Sequence, residues 1–244
     1  MLKILHHANA DIVGLQEVTP RFLKVLTATS WIRENYYVTE ITGNSFCGYG
    51  NILMTTMRPR SFYTRPLESL MGRQLIMSEF VLSTPSGAPE LLRVGTVHLE
   101  SLAGNYEIRN FQFKQIFPLL TSPAPGFRHV HSVLMGDFNL DPSSQEEIDS
   151  VQTTFGNDFV DCWTYCSHGS PGSTRYVNYP EEGKEAVRFD RIILSSKENR
   201  ITPKTMVTVG SEALESPSLC EEYDQVFPSD HLGLLCECTI QYET

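Results

Sequence analysis

The chain has 244 residues, 41% hydrophobic and 10% aromatic, enough to bury roughly 70–75% of the surface that the unfolded chain exposes. Its 19 lysines and arginines stand against 29 aspartates and glutamates, a formal net charge of −10; this excludes broad coating of nucleic acid and leaves open a site that handles only a few phosphates. Apolar runs such as Leu232 to Leu235 fall far below the ~20 residues of a bilayer span, so the expectation is a monomeric, soluble protein of the nucleus or cytoplasm with no membrane partner.

In chain order, a helix is expected over residues 2–10 and a strand over 11–16 that delivers Glu17 at its C-terminal end. A second helix follows over 20–29, then strands over 51–56, 74–83 and 91–99, and a long helix over 106–120. A strand over 133–138 leads to a helix over 143–151, opened by Pro142 and Ser143. Strands over 188–195, 205–209 and 232–241 complete the chain. Many strands with a few helices between them predict a layered α/β sandwich. The Pro/Gly/Ser clusters are short and lie between elements, so residues 1–244 are expected to form one domain.

Polar residues stand where these strands end. Asp137 and Asn139 share one face by strand alternation, with Phe138 on the other. Asp190 lies inside an otherwise apolar strand, where an unpaired acid costs several kcal/mol; its bland alternative is a salt bridge to Arg188 or Arg191. Pro228 and Ser229 turn the chain into Asp230-His231, at the mouth of the last strand. An Asp-His pair alone reads as a helix cap or surface pair, Asp137 as an Asx-turn, and His98 as a histidine satisfied by Glu100 or a loop carbonyl. The six cysteines read as free thiols. Cys162-x-x-x-Cys166 and Cys236-x-Cys238 nominate zinc, but no Cys/His pair completes either at finger-like spacing, so core and rim positions are expected for them.

Taken together and in order, Leu15-Gln16-Glu17-Val18, Val97-His98-Leu99-Glu100, Arg109 with Gln112, Gly136-Asp137-Phe138-Asn139, Arg188-Phe189-Asp190-Arg191-Ile192 and Ser229-Asp230-His231 resemble the endonuclease/exonuclease/phosphatase superfamily. That superfamily includes DNase I, abasic-site endonucleases, sphingomyelinases, inositol-polyphosphate 5-phosphatases and deadenylases. His98 to Ser101, the Arg-x-x-Gln helix and Phe227 to His231 look most like the 5′-tyrosyl-DNA phosphodiesterases. The resemblance implies a four-layer sandwich of two packed mixed β-sheets flanked by helices, with the site at one end.

It further implies Mg²⁺, with Mn²⁺ able to substitute, held by Glu17 and served through water by Asp230. Asp137 would orient or deprotonate the attacking water and Asn139 would donate a hydrogen bond to the phosphate. His231 would sit on the phosphate, held by Asp190; His98 and Arg73 would bind phosphate, Arg109 would brace, and Tyr176 would wall the substrate. The implied reaction is hydrolysis at nucleic-acid 5′ ends, most concretely of a 5′-phosphotyrosyl bond in DNA repair. A general nuclease, a deadenylase, a lipid or inositol phosphatase, and a catalytically impaired binding protein are the alternatives. Relatives begin with a strand bearing an Asn, and this chain starts inside the helix that follows it; an N-terminally truncated domain lacking that strand is therefore expected.

Overall fold

The structure, a computed structural model, describes residues 1–84, 87–140, 144–166, 169–214 and 225–241. Its first elements are α1 (Leu2–Ala8), β1 (Ile12–Val18), α2 (Pro20–Ala28), α3 (Ser30–Asn35), β2 (Tyr37–Val38), β3 (Gly50–Thr55), β4 (Ser61–Pro66), β5 (Gln74–Leu82) and β6 (Glu90–His98). There follow α4 (Tyr106–Thr121), β7 (Val130–Asp137), α5 (Gln145–Phe155), β8 (Val160–Asp161), α6 (Cys162–Cys166), β9 (Asp190–Ser195), β10 (Ile201–Val209) and β11 (Gly233–Ile240). Every helix and strand expected from the sequence is present. The Pro142-Ser143 opening expected for α5 lies outside the described residues; Ser144 caps that helix, its Oγ accepting from the Glu147 N–H at 3.2 Å. The unanticipated elements are short (α3, β2, β8, α6) or, like β4, a sheet-edge strand ending in a proline, where a missing ladder donor is tolerated.

Six strands form one mixed sheet in the order β4-β5-β6-β7-β9-β8. β6 is buried at all nine positions, as a strand covered on both faces must be. It runs parallel to β7, and α4 supplies the crossover that a parallel pair requires. Facing this sheet are two antiparallel pieces, β1-β3-β2 and the hairpin β10-β11.

Alternation along the strands separates three cores. Leu75, Met77, Val97 and Leu134 pack outward against Phe113 and Ile116 of α4 and Phe155 of α5. Ile76, Val94, Leu194 and Met206 fill the space between the layers. Leu5, Leu23, Leu26 and Ile32, from α1, α2 and α3, cover Ile52 and Met54 of β3. The resulting order is helix, sheet, sheet, helix. A cavity of about 760 Å³ is lined both by β1 and by β10-β11, each of which ends at the same mouth. No helix among the described residues is long and apolar enough to cross a membrane.

Within the six-stranded sheet, β7 leaves no room for a side chain against β6 at Gly136. Its φ is +129°, and a Cβ there would lie 2.0 Å from the Val97 carbonyl oxygen. Backbone of β6 blocks that position, so no side chain can rotate out of the way. Gly136→Ala is expected to cost about 3 kcal/mol through strain and overpacking and to displace the adjacent Asp137. Urea denaturation checks this: a midpoint unchanged from that of the parent contradicts it.

Candidate active site

Strand register brings the polar residues together. His98 pairs with Asp137 across β6 and β7, and Asp137 pairs with Asp190 across β7 and β9, so three neighbouring strands deliver a histidine and two acids side by side. Glu17 comes from the facing layer. There β1 breaks register after Leu15, and Glu17 takes φ +54°, which turns its carboxylate out to 63% exposure and within 3.9 Å of His98 Nδ1. Gln16 anchors this bend by donating to Thr96 Oγ1 at 2.9 Å. Glu17, His98, Asp137, Asp190, Asp230 and His231 all line the cavity mouth.

Asp137 and Asn139 do not share a strand face; the Asx-turn named as the alternative for Asp137 is what forms. The strand ends at Asp137 and Asn139 has φ +50°, so a left-handed turn, not alternation, joins them. The Asn139 backbone N–H donates to Asp137 Oδ1 at 2.8 Å. Its side-chain amide donates to the Leu99 carbonyl at 3.2 Å and to Ser101 Oγ at 3.3 Å. Asn139 thus fixes Asp137 on the loop that follows β6. Burial pushes the Asp137 carboxyl up to about 7, with the charge of Asp190 adding to the rise, while His231, the Asn139 N–H and Arg73 oppose it.

Two histidines flank Asp137 in opposite states. Arg73, itself buried, donates to His98 Nδ1 at 2.9 Å and to Ser101 Oγ at 2.7 Å. An arginine is only a donor, so His98 carries its proton on Nε2, which faces Asp137 Oδ2 at 3.4 Å. Burial, then Arg73 and His231, lower His98 to about 3; it is neutral at pH 7. His231 Nδ1 lies 2.8 Å from Asp190 Oδ2. Burial disfavours its charge, but that bond and the charges of Asp190, Asp137 and Asp230 outweigh it and raise His231 to about 9. It is an imidazolium at pH 7.

Asp190 is free for this task because Arg188 and Arg191 both pair with Asp161, at 2.8 and 2.9 Å. The salt-bridge alternative for Asp190 is thereby corrected. Likewise Arg73, not Glu100 or a loop carbonyl, satisfies His98. Glu100 instead accepts from Ser69 and Leu70. Arg109 is the expected brace: fully buried, it binds Glu147 of α5 and the Glu100 and Leu102 carbonyls. Asp230 stays on the rim, 3.4 Å from Arg175, and Arg175 lies over the ring of Tyr176, 4.4 Å from its centroid. Arg73 donates to His98, Ser101 and Tyr49, while its Nε is buried with no hydrogen-bond partner.

Four contributors escaped the sequence reading: Ser101, Asp161, Thr174 and Tyr49. Thr174 is fully buried and its Oγ1 accepts from the Phe189 and Asp190 N–H groups, while its carbonyl accepts from Leu232 N–H; it thereby ties Asp190 to the His231 turn. Ser101 closes the His98 to Ser101 motif already singled out, but no role was assigned to it. Nothing in the neighbourhood of Thr174 or Asp161 in sequence announces the long-range bond each makes.

Four carboxylates, Glu17, Asp137, Asp190 and Asp230, line this cavity and are oxygen donors of the kind a hard divalent cation takes; among the described residues no three such groups already stand in metal-binding geometry.

Residues 1–231 match the profile of the Endonuclease/Exonuclease/phosphatase family. The chain is 27% identical over 237 residues to tyrosyl-DNA phosphodiesterase 2 of Bos taurus, covering 93% of this chain and 58% of that protein. Against the Homo sapiens protein of the same name it is 27% identical over 241 residues, with coverage of 95% and 60%. The chain therefore spans about three fifths of these curated relatives. The crystal structure of D. rerio TDP2 complexed with single strand DNA product superimposes with a TM-score of 0.74 at 23% identity, covering 98% of this chain and 89% of that one. The human Nocturnin catalytic domain with bound sulfate gives 0.66 at 16% identity, with coverage of 98% and 84%. Both show the fold.

Asp137 carries a stability cost. Its folded value, about 7 against 3.8, means that its contribution is fully present below pH 3.8 and lost as pH rises through 7. Asp137→Asn removes that cost while keeping shape. In EDTA the variant is expected to be more stable than the parent at pH 8, by on the order of 1–2 kcal/mol, with the advantage fading toward pH 4.5. Denaturant midpoints at the two pH values test this; a variant less stable at pH 8 contradicts it.

Proposed function

Because the chain belongs to the endonuclease/exonuclease/phosphatase family, we propose that it is a divalent-metal-dependent phosphodiesterase acting at nucleic-acid 5′ ends, and specifically that it hydrolyses the 5′-phosphotyrosyl bond of DNA with Mg²⁺ or Mn²⁺. The observation that carries this is the convergence of His98, Asp137 and Asp190 from three neighbouring strands with His231 on one mouth, His98 Nε2 lying 3.4 Å from Asp137 Oδ2 and His231 Nδ1 2.8 Å from Asp190 Oδ2. Tyrosyl-DNA phosphodiesterases among the relatives supply the substrate class.

Asp137 is the base. A carboxyl near 7 is poised to take a proton from water at neutral pH, and its two fixed neighbours, the Asn139 N–H and the His98 Nε2 side, aim it. The His231 imidazolium neutralises charge that develops on the phosphoryl oxygens, with Asp190 fixing ring and tautomer. His98 offers Nε2–H to the same phosphate as a neutral donor. The long Asn139 amide bonds to Leu99 and Ser101 exchange for a phosphoryl oxygen when substrate enters. Glu17, with Asp230 through water, would hold the metal, which when bound supplies positive charge to the phosphoryl group.

The substrate follows from the leaving group. A tyrosyl phenol has pKa about 10 and departs with little general-acid help. The site has one cation on the phosphate and no second histidine free to protonate a sugar hydroxyl, since His98 stays neutral. A net charge of −10 also suits a DNA end better than a long duplex.

Turnover is tested on 5′-phosphotyrosyl DNA, abasic DNA, poly(A) and an inositol polyphosphate. Tyrosine release is expected to be fastest, to stop in EDTA, and to return with Mg²⁺. Glu17→Gln is expected to lose at least ~10²-fold, the scale of one electrostatic stabiliser. Faster cleavage within the strand makes the protein a general nuclease, EDTA-resistant turnover removes the metal, and DNA binding without turnover makes it a binding protein.

A further inference from the structure

The cavity behind the catalytic mouth has the form of a strand. β3 packs over β5 and β6, β1 over β6 and β7, and β11 over β9, so β1 and β11 flank a space above β7 and β9, which are neighbours in the six-stranded sheet. Val133 and Met135 of β7 with Ile192 and Leu194 of β9 make its floor, and Ile4 and Ala8 of α1 close it from the other side. Interiors seldom keep voids larger than a water molecule; this one measures about 760 Å³.

Both walls are strand edges. Side chains alternate along a strand, so a space against one face meets every second residue. β10 meets the cavity in that way, through Thr205, Val207 and Val209, whereas β1 meets it without a gap from Asp11 to Glu17 and β11 from Leu232 to Cys238. Consecutive residues share one space only along an edge. Among the described residues β1 pairs with β3 alone and β11 with β10 alone, so each turns its second edge, a row of backbone N–H and C=O groups, toward the cavity. Such groups require partners.

A small apolar ligand would suit the floor and leave both edges unpaired. An extended peptide satisfies every side, and strand addition to a free sheet edge is a recurring mode of recognition. β1 runs toward the catalytic mouth and β11 away from it, so one inserted strand pairs parallel with one wall and antiparallel with the other. We propose that the cavity is a docking slot for an extended segment of a separate polypeptide, about seven residues long to match the edge from Asp11 to Glu17 and apolar on both faces, as a strand covered on both sides must be. A second copy of this chain does not offer one: among the described residues its longest exposed strand stretches, the end of β4 and the far half of β11, carry Thr64, Arg65, Glu237 and Thr239. The formal charge of −10 favours a partner with basic residues beside the apolar run.

Docking reaches the catalytic groups through both walls. β1 delivers Glu17, and β11 starts directly after His231 and Leu232, yet no strand among the described residues joins β1 to β11. A strand bonded to both holds Glu17 against the Asp230-His231 turn. The effect on turnover rests on the proposed function; the docking does not.

The test adds to the full chain a synthetic peptide of about seven valines, isoleucines and leucines, the length of one edge, behind an N-terminal lysine tail. Melting temperature is expected to rise with peptide concentration, hydrogen exchange at the free edges of β1 and β11 to slow at least ~10-fold, and Mg²⁺-dependent release of tyrosine from 5′-phosphotyrosyl DNA to speed up. The same peptide N-methylated at alternate residues lacks the donors on one edge and is expected to bind at least ~10-fold more weakly. Ala8→Trp, which fills the slot from α1 and lies outside the catalytic groups, is expected to abolish every effect of the peptide. Unchanged exchange at either edge, an N-methylated peptide that binds as tightly as its parent, binding that survives Ala8→Trp, or edge protection that appears without peptide as the chain dimerises overturns the proposal. Protection of both edges with no turnover of any phosphate ester upholds the docking and removes the proposed function.

Discussion

Asp137 and Asp190 face each other directly across β7 and β9, and much of the site follows from that juxtaposition. Like charges at opposed cross-strand positions repel, and Asp137 is also nearly inaccessible to water. Two answers are available to such a pair: one acid keeps a proton, or a cation sits between them. Both are used. Asp137 is raised to about 7, and His231 bonds Asp190 as an imidazolium held to about 9. Burial, with the charge of Asp190 added to it, makes one acid a base near neutrality, and the bond to Asp190 makes one imidazole a durable cation.

The two histidines show how far environment alone can separate identical groups. His98 is driven down to about 3 by burial first and by the guanidinium of Arg73 second; His231, also buried, bonds a carboxylate and is driven up. Pushing titratable neighbours apart in this way assigns acid and base roles. The arrangement depends on bookkeeping further out. Asp161 absorbs both Arg188 and Arg191, without which Asp190 would have nearer partners than His231. Ser101 and Tyr49 also accept from Arg73, which holds that side chain on His98.

How much of this was legible depended on distance along the chain. The strands and the acids at their ends could be read because each signal is local: an apolar run followed by Glu17, Asp137 or the Asp230-His231 turn. That Asp190 needs a partner could be read from the cost of an acid in a strand core; that the partner is His231 was what the family resemblance implied. Asp161 as the partner of Arg188 and Arg191, and Thr174 beneath Asp190, are both set by tertiary packing and leave no local trace. Asn139 shows a subtler failure. Its face was inferred from alternation, but a left-handed residue ends the strand first, and the same two groups meet by a different route.

The most direct test is an NMR titration of the imidazoles of His98 and His231, assigned with single His→Gln variants. The account predicts that His231 holds its proton until pH about 9 and that His98 stays neutral down to pH about 3 or to the point of acid unfolding. Two histidines titrating together near the ordinary value of about 6.5 would contradict it.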